Sequence, residues 1–120
     1  MTNAKTIGDK GEEIAAQYLA NKGYKILSRN WQLMHRELDI VAMKDQTLVF
    51  VEVKTRAEDF IVSPAEAVSR RKQKLIIQAA DLYITKNNLN YEAQFDIISI
   101  IYKGNAFAVE HIENAFYPRA

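Results

Sequence analysis

Two hydrophobic periods divide this chain. Ile14, Ala15, Tyr18 and Leu19 recur at helical spacing between about Gly8 and Asn21, and Gly23 follows as a stop. Tyr24-Lys25-Ile26-Leu27 alternates weakly and predicts a short strand. Arg36 to Met43 and Thr47 to Thr55 are stronger strand patterns, and the polar Lys44-Asp45-Gln46 between them predicts a tight hairpin. Ser63, Pro64 and Glu66 read as an N-cap, a first helical residue and a capping box. Ala67, Val68, Leu75, Ala79, Leu82 and Tyr83 carry that helix to about Lys86, where Asn87-Asn88 ends it. Phe95 to Tyr102 is apolar and β-branched, the mark of a buried strand. Ala106 to Ile112 follows Gly104-Asn105 as its hairpin partner. The predicted order is α-β-β-β-α-β-β, a mixed β-sheet with helices packed on it, in the α/β class.

Composition narrows the class without naming a chemistry. At 120 residues and 48% hydrophobic side chains, the chain fits a single domain over 1–120. No apolar run approaches the roughly 20 residues of a membrane helix, and no signal-peptide h-region opens the sequence. A soluble protein without membrane contact is expected. The absence of cysteine excludes disulfides, zinc–thiolate sites and cysteine nucleophiles, and it fits a cytoplasmic location. A net charge of +1 gives no global attraction for nucleic acid. Any such contact rests on local patches, and Arg70, Arg71, Lys72 and Lys74, with Lys54 and Arg56 upstream, form the candidate.

The chemistry concentrates in Glu37-Leu38-Asp39-Ile40-Val41 and Val49-Phe50-Val51-Glu52-Val53-Lys54. Strand side chains alternate, so Glu37 shares a face with Asp39, and Glu52 with Lys54. A hairpin loop with an even residue count places Asp39 opposite Glu52 and Glu37 opposite Lys54; an odd count separates the pairs unless a bulge intervenes. Mg²⁺ typically takes one or two carboxylates plus waters and phosphate oxygens. Asp39 and Glu52 offer those carboxylates, and the Val53 carbonyl a third oxygen. Lys54 is placed to orient a water or to stabilise the charge of a phosphoryl transition state. Glu52 also lies within a very apolar strand, where an unpaired carboxylate costs several kcal/mol. An ion pair of Lys54 with Glu52 or Asp39 would offset that cost without catalysis, so residue chemistry leaves both readings open.

These residues resemble a known family. Gly8-Asp9-Lys10-Gly11-Glu12, Ala15, Tyr18-Leu19, Gly23-Tyr24, Arg29-Asn30 and Glu37-Leu38-Asp39 match it in order. So do Leu48 to Arg56, Pro64 to Val68, Lys72, Phe95-Asp96 and His111 to Phe116. The chain resembles the YraN family of small bacterial proteins, which are similar to Holliday-junction resolvases of the PD-(D/E)XK, restriction-endonuclease-like superfamily. The resemblance implies a three-layer core, with Asp39 and Glu52 as metal-binding acids, Lys54 as catalytic lysine and Mg²⁺ or Mn²⁺ as cofactor. It also implies that Glu12 is a further metal or water ligand. Glu12 shares a helical stripe with Ala15 and Leu19, though a first-turn acid complementing the helix dipole would look the same. Where the family usually has Gly before Glu-x-Asp, this chain has Arg36, which either restricts close approach or supplies a phosphate contact.

The expected function is a metal-dependent endonuclease on DNA, branched or damaged, with Asp39, Glu52 and Lys54 at its centre and Glu37 and Glu12 in support. Arg36, Arg56, Arg70, Arg71, Lys72 and Lys74 are the candidate phosphate contacts. The resemblance to resolvases allows a homodimer. The main alternative is a non-catalytic nucleic-acid-binding module; another is an interaction protein whose acids and Lys54 form an ion-pair network. Trp31 and Tyr24 suit base stacking or packing, and packing is commoner. His111 reads as structural, and Asp96 as either an ion-pair partner or a functional acid.

Overall fold

The computed structural model describes residues 4–58 and 68–118. Helix α1 spans Ala4–Asn21 and buries Ala15, Ala16 and Leu19. Its end is fixed by Gly23 at φ 91°, which lets Tyr24 N–H reach Leu19 O (3.0 Å) and Gly23 N–H reach Ala20 O (3.1 Å). That pair of bonds is a Schellman stop, completed by packing of Tyr24 against the cluster that holds Leu19. Helix α2, Arg70–Lys86, ends in the same way with Asn88 in the left-handed role (φ 52°). The Asn87-Asn88 stop is thus where the sequence placed it.

The start of α2 is a correction. The expected helix ran on from Ser63, whereas the described helix begins at Arg70, with Val68 in a bend and Ser69 as its N-cap. The Ser69 hydroxyl accepts the Lys72 N–H at 3.1 Å, which satisfies one of the first-turn donors. The expected capping box at Ser63, Pro64 and Glu66 lies outside the described residues.

Strands β1 (Lys25–Leu33), β2 (Arg36–Lys44), β3 (Thr47–Ala57), β4 (Glu92–Lys103) and β5 (Ala106–Phe116) form one sheet in that spatial order. β1–β2–β3 is an antiparallel meander, β3–β4 is parallel, and β4–β5 is a hairpin. Helix α2 makes the crossover that a parallel pair requires. The helices lie on opposite faces. Ile76, Ala79, Ala80 and Tyr83 of α2 pack on Leu48, Phe50, Phe95 and Ile97, and α1 packs on Val49, Val51, Ile98 and Ile100. Helix, sheet, helix: the expected three-layer α/β architecture is observed. With both faces of β3 and β4 covered, their middles are buried on both sides, mostly apolar but with Glu52, Asp96 and Ser99 among the buried residues. Gly11 marks a close approach of α1 to β3, since a Cβ there would collide with Thr55 Oγ1.

Two hairpin turns contrast. Gly104 takes φ 57° between β4 and β5 without a side-chain penalty. Between β1 and β2, Leu33 pairs with Arg36, so the loop is the two residues Met34 and His35, at φ 51° and 62°. Positive φ at both positions suits Asn-Gly and strains larger side chains. Replacing Met34→Asn together with His35→Gly is expected to stabilise the protein by about 1 kcal/mol. A urea titration should show a higher midpoint at unchanged slope; a lower midpoint would mean that the turn is not strained.

Candidate active site

The β2–β3 loop has two residues, Asp45 and Gln46, an even count. The ladder runs from Lys44 opposite Thr47 to Ile40 opposite Val51, then stops. The next pair in that register is Asp39 with Glu52. Strict alternation in β2 also fails here, since Leu38 packs in the cluster containing Val41 while Ile40 packs in the opposite one. β2 therefore parts from β3 at Asp39, and Asp39 takes over as acceptor: its Oδ2 receives the Val53 N–H at 2.8 Å. Because N–H and C=O of one strand residue point to the same side, the Val53 carbonyl faces this gap as well.

Glu52 is 6% exposed and lies on the α2 side of β3. Burial pushes its carboxyl up to about 9; a hydrogen bond with Asp39 and the Asp39 charge push the same way, while Lys72 and Lys54 pull it down. Its Oε2 is buried with no hydrogen-bond donor, and the nearest cation is Lys72 Nζ at 3.7 Å. Lys72 also lies 3.9 Å from Glu37 Oε1. Glu37 is therefore not set across from Lys54 in a ladder with β3, as alternation had predicted; it joins the site through Lys72. Glu12 arrives from α1. Its carboxyl is raised above the ordinary range, first by burial and then by the Asp39 charge, with a hydrogen bond from Asn30 opposing.

The structure thus brings together Glu12, Glu37, Asp39, Glu52, Lys54 and Lys72, from four elements. Arg36 and Arg56 are half-buried on β2 and β3, while Arg70, Arg71 and Lys74 point to solvent from α2. Lys72 was grouped with those helix cations as a phosphate contact; the structure gives it a different position, against the acids.

Among the described residues, no three Asp, Glu or His side chains form a ready-made metal-holding group. The donor set still fits a hard divalent ion that keeps most of its waters: two carboxylates, one of them Glu52 with an orphaned oxygen, and one carbonyl. Acids packed this closely repel one another, and a cation between them would relieve that repulsion.

A family model described as "Uncharacterised protein family UPF0102" matches residues 11–100, which span every acid and lysine of the site. The chain belongs to UPF0102. A UPF0102 protein of Parabacteroides distasonis is 44% identical over 98% of this chain and 97% of its own length. One from Porphyromonas gingivalis is 46% identical over 91% and 82%, and one from Caldanaerobacter subterraneus 44% over 95% and 97%. The UPF0102 chain has no helix, among its described residues, long and apolar enough to cross a membrane.

A second polar cluster went unassigned in the sequence. Asp96 is fully buried on the α1 face, and its carboxylate meets His111 Nε2 (2.7 Å), Gln94 Nε2 (3.0 Å) and the Asn114 N–H (3.0 Å). His111 Nδ1 continues to the Tyr18 hydroxyl at 3.3 Å, which receives Lys22 Nζ at 3.2 Å. Tyr24 packs beside His111 and donates to Glu113 Oε1 at 3.4 Å; burial and then the Glu113 charge push its hydroxyl up to about 12. Asp96 is therefore tied by hydrogen bonds to a strand histidine and its neighbours, and Tyr24 is a packing residue. Trp31 packs too, edge-on against Tyr83.

Proposed function

We infer that this UPF0102 protein is a metal-dependent endonuclease that hydrolyses phosphodiester bonds in DNA, with branched or damaged DNA as its substrate class. One observation carries the reading: Glu52 Oε2 is buried, lacks a hydrogen-bond donor and adjoins Asp39 at the point where the β2–β3 ladder opens. The resemblance to YraN proteins and to PD-(D/E)XK resolvases supports the same assignment.

Asp39, Glu52 and the Val53 carbonyl would hold Mg²⁺ or Mn²⁺. When bound, the ion supplies a water of lowered pKa and a positive charge beside the phosphodiester. Lys54, which shares the Glu52 face of β3, offsets negative charge on the phosphate under attack. Glu12 accepts a hydrogen bond from the attacking water, and its raised carboxyl pKa suits it to take the proton. Lys72 holds Glu52 and Glu37 together before the ion enters. A homodimer would suit a junction, which presents two symmetric strands.

Calorimetry with Mn²⁺ is expected to show binding by the wild type and none by Asp39→Ala. Cleavage of a branched duplex should fall about 100-fold or more in folded Asp39→Ala and Lys54→Ala. Full activity in both variants would sink the assignment. A second reading draws on Lys72, which already neutralises the acids from 3.7 and 3.9 Å: a non-catalytic nucleic-acid-binding module with a metal-free centre. Salt-sensitive binding that persists in chelator, with no product on any substrate, would select it.

A further inference from the structure

We propose that a groove on the outward side of α2 binds an unpaired stretch of nucleic acid, with Tyr117 as the surface on which a base stacks. The groove has a volume of about 700 Å³ and lies between α2 and the segment just after β5. Arg70, Arg71 and Lys74 line it, all exposed, and no acidic residue does so among the described residues. Four residues of helix rise about 6 Å, so the three cations fall along a length comparable to one nucleotide of backbone. They suit two adjacent phosphates of one strand.

Tyr117 distinguishes this groove from a generic basic patch. It is 71% exposed, although the preceding Phe116 is buried against Phe95. The core thus anchors the chain one residue before the tyrosine, while its ring stays open to a partner. Ile77, half-buried, lines the same groove. A ring beside cations is the arrangement that holds single strands, since every base offers a π-face while phosphates meet the positive charge. A paired duplex keeps its bases stacked inside and offers this tyrosine nothing but backbone.

The placement connects the groove to the acids. Lys72 stands on the same first turn of α2 as Arg70 and Arg71 but turns inward to Glu37 and Glu52. A strand lying along the groove would cross that turn next to the candidate centre. The inference rests on the nucleic-acid reading and narrows it to substrates with an unpaired segment, such as frayed, flapped or branched ends.

The test measures fluorescence anisotropy of a labelled 12-residue oligothymidine and of a duplex of equal length, in EDTA so that no metal takes part. The protein carries Lys54→Ala throughout, which removes the proposed catalytic lysine. Tyr117→Ala should weaken oligothymidine binding about tenfold, Tyr117→Phe should restore it, and duplex binding should change less than twofold. Arg70→Gln with Lys74→Gln should weaken both and reduce the salt slope by about two. Tyr117 is exposed, and an unchanged melting temperature would establish that its variants fold. Equal losses on single strand and duplex, or no loss in Tyr117→Ala, would overturn the proposal. So would binding of a poly-glutamate peptide to the groove in place of the oligonucleotide. The nuclease reading fails separately: Tyr117-dependent binding without cleavage by the wild type on any substrate keeps the groove and removes the enzyme.

Discussion

Glu52→Gln is expected to raise the melting temperature, and to raise it more at pH 8.5 than at pH 5. An ordinary glutamate in the unfolded chain loses its proton near 4.5, whereas Glu52 in the fold holds its proton up to about 9. Between those values the folded state binds more protons than the unfolded one. Stability from this group is therefore fully present below 4.5 and lost as pH rises through about 9. Glutamine keeps the neutral, hydrogen-bonding form at every pH and escapes that loss. At pH 8.5 the gain is on the order of several kcal/mol, from 1.36 kcal/mol per pKa unit. Scanning calorimetry of both proteins at the two pH values decides it; an equal shift at each pH would show that Glu52 does not titrate in this window. Saturating Mn²⁺ should narrow the gap by stabilising the wild type alone. A residue whose removal stabilises the fold is being kept for another reason, and function is the usual one.

Asp96→Ala is expected to have the opposite sign and a comparable size. The carboxylate is fully buried and serves three partners, His111, Gln94 and the Asn114 N–H. Truncation leaves those groups without an acceptor in a place water does not reach. The cost should be about 3–5 kcal/mol, the range for one partner removed from a buried pair. Asp96→Asn, which keeps an acceptor oxygen and the shape, should lose about half as much. Urea denaturation of the two variants gives the comparison. A loss below about 1 kcal/mol in Asp96→Ala would mean that the His111 network is not a structural tie between β4, β5 and α1.

The two strands that carry the acids were legible because their signals are local. A short polar stretch between apolar alternating runs marks the hairpin, but Lys44-Asp45-Gln46 leaves the parity of the loop open. The two-residue turn Asp45-Gln46, seen in the fold, is what makes Asp39 and Glu52 the next pair in register. β1 was harder. Only Tyr24 to Leu27 read as strand, yet pairing continues to Leu33 through the polar Ser28-Arg29-Asn30. That stretch lies on an edge strand, and its conformation is imposed by β2 rather than by its own side chains. Asn30 even takes φ 51° within it. The start of α2 misled for a related reason: Ser63-Pro64 has the chemistry of a cap, and so does Ser69, which caps the helix that is described.

What could not be read was how elements rotate against one another. Lys72 sits among four basic residues, and only the seating of α2 on the sheet turns that one toward Glu37 and Glu52. Asp96 met the same limit. Its partner His111 comes from the next strand and stands opposite Ile98, and the register shifts between Phe95 and Ile97, at Asp96 itself. The break in alternation at Asp39 is also tertiary, since it arises where β2 leaves β3.

Spatial order equals chain order in this sheet, and that has a consequence for how the protein folds. Each antiparallel neighbour is reached through a two-residue turn, so the β2–β3 hairpin is free to form within microseconds. The parallel seam between β3 and β4 alone demands closure of a long crossover, and α2 docks with it. Asp39 and Glu52 are thus drawn together in the nascent hairpin before Lys72 can arrive. In that interval Lys54 of the same hairpin, a proton or a solvent cation must offset the two carboxylates, which makes the solution itself a participant in the early steps of folding.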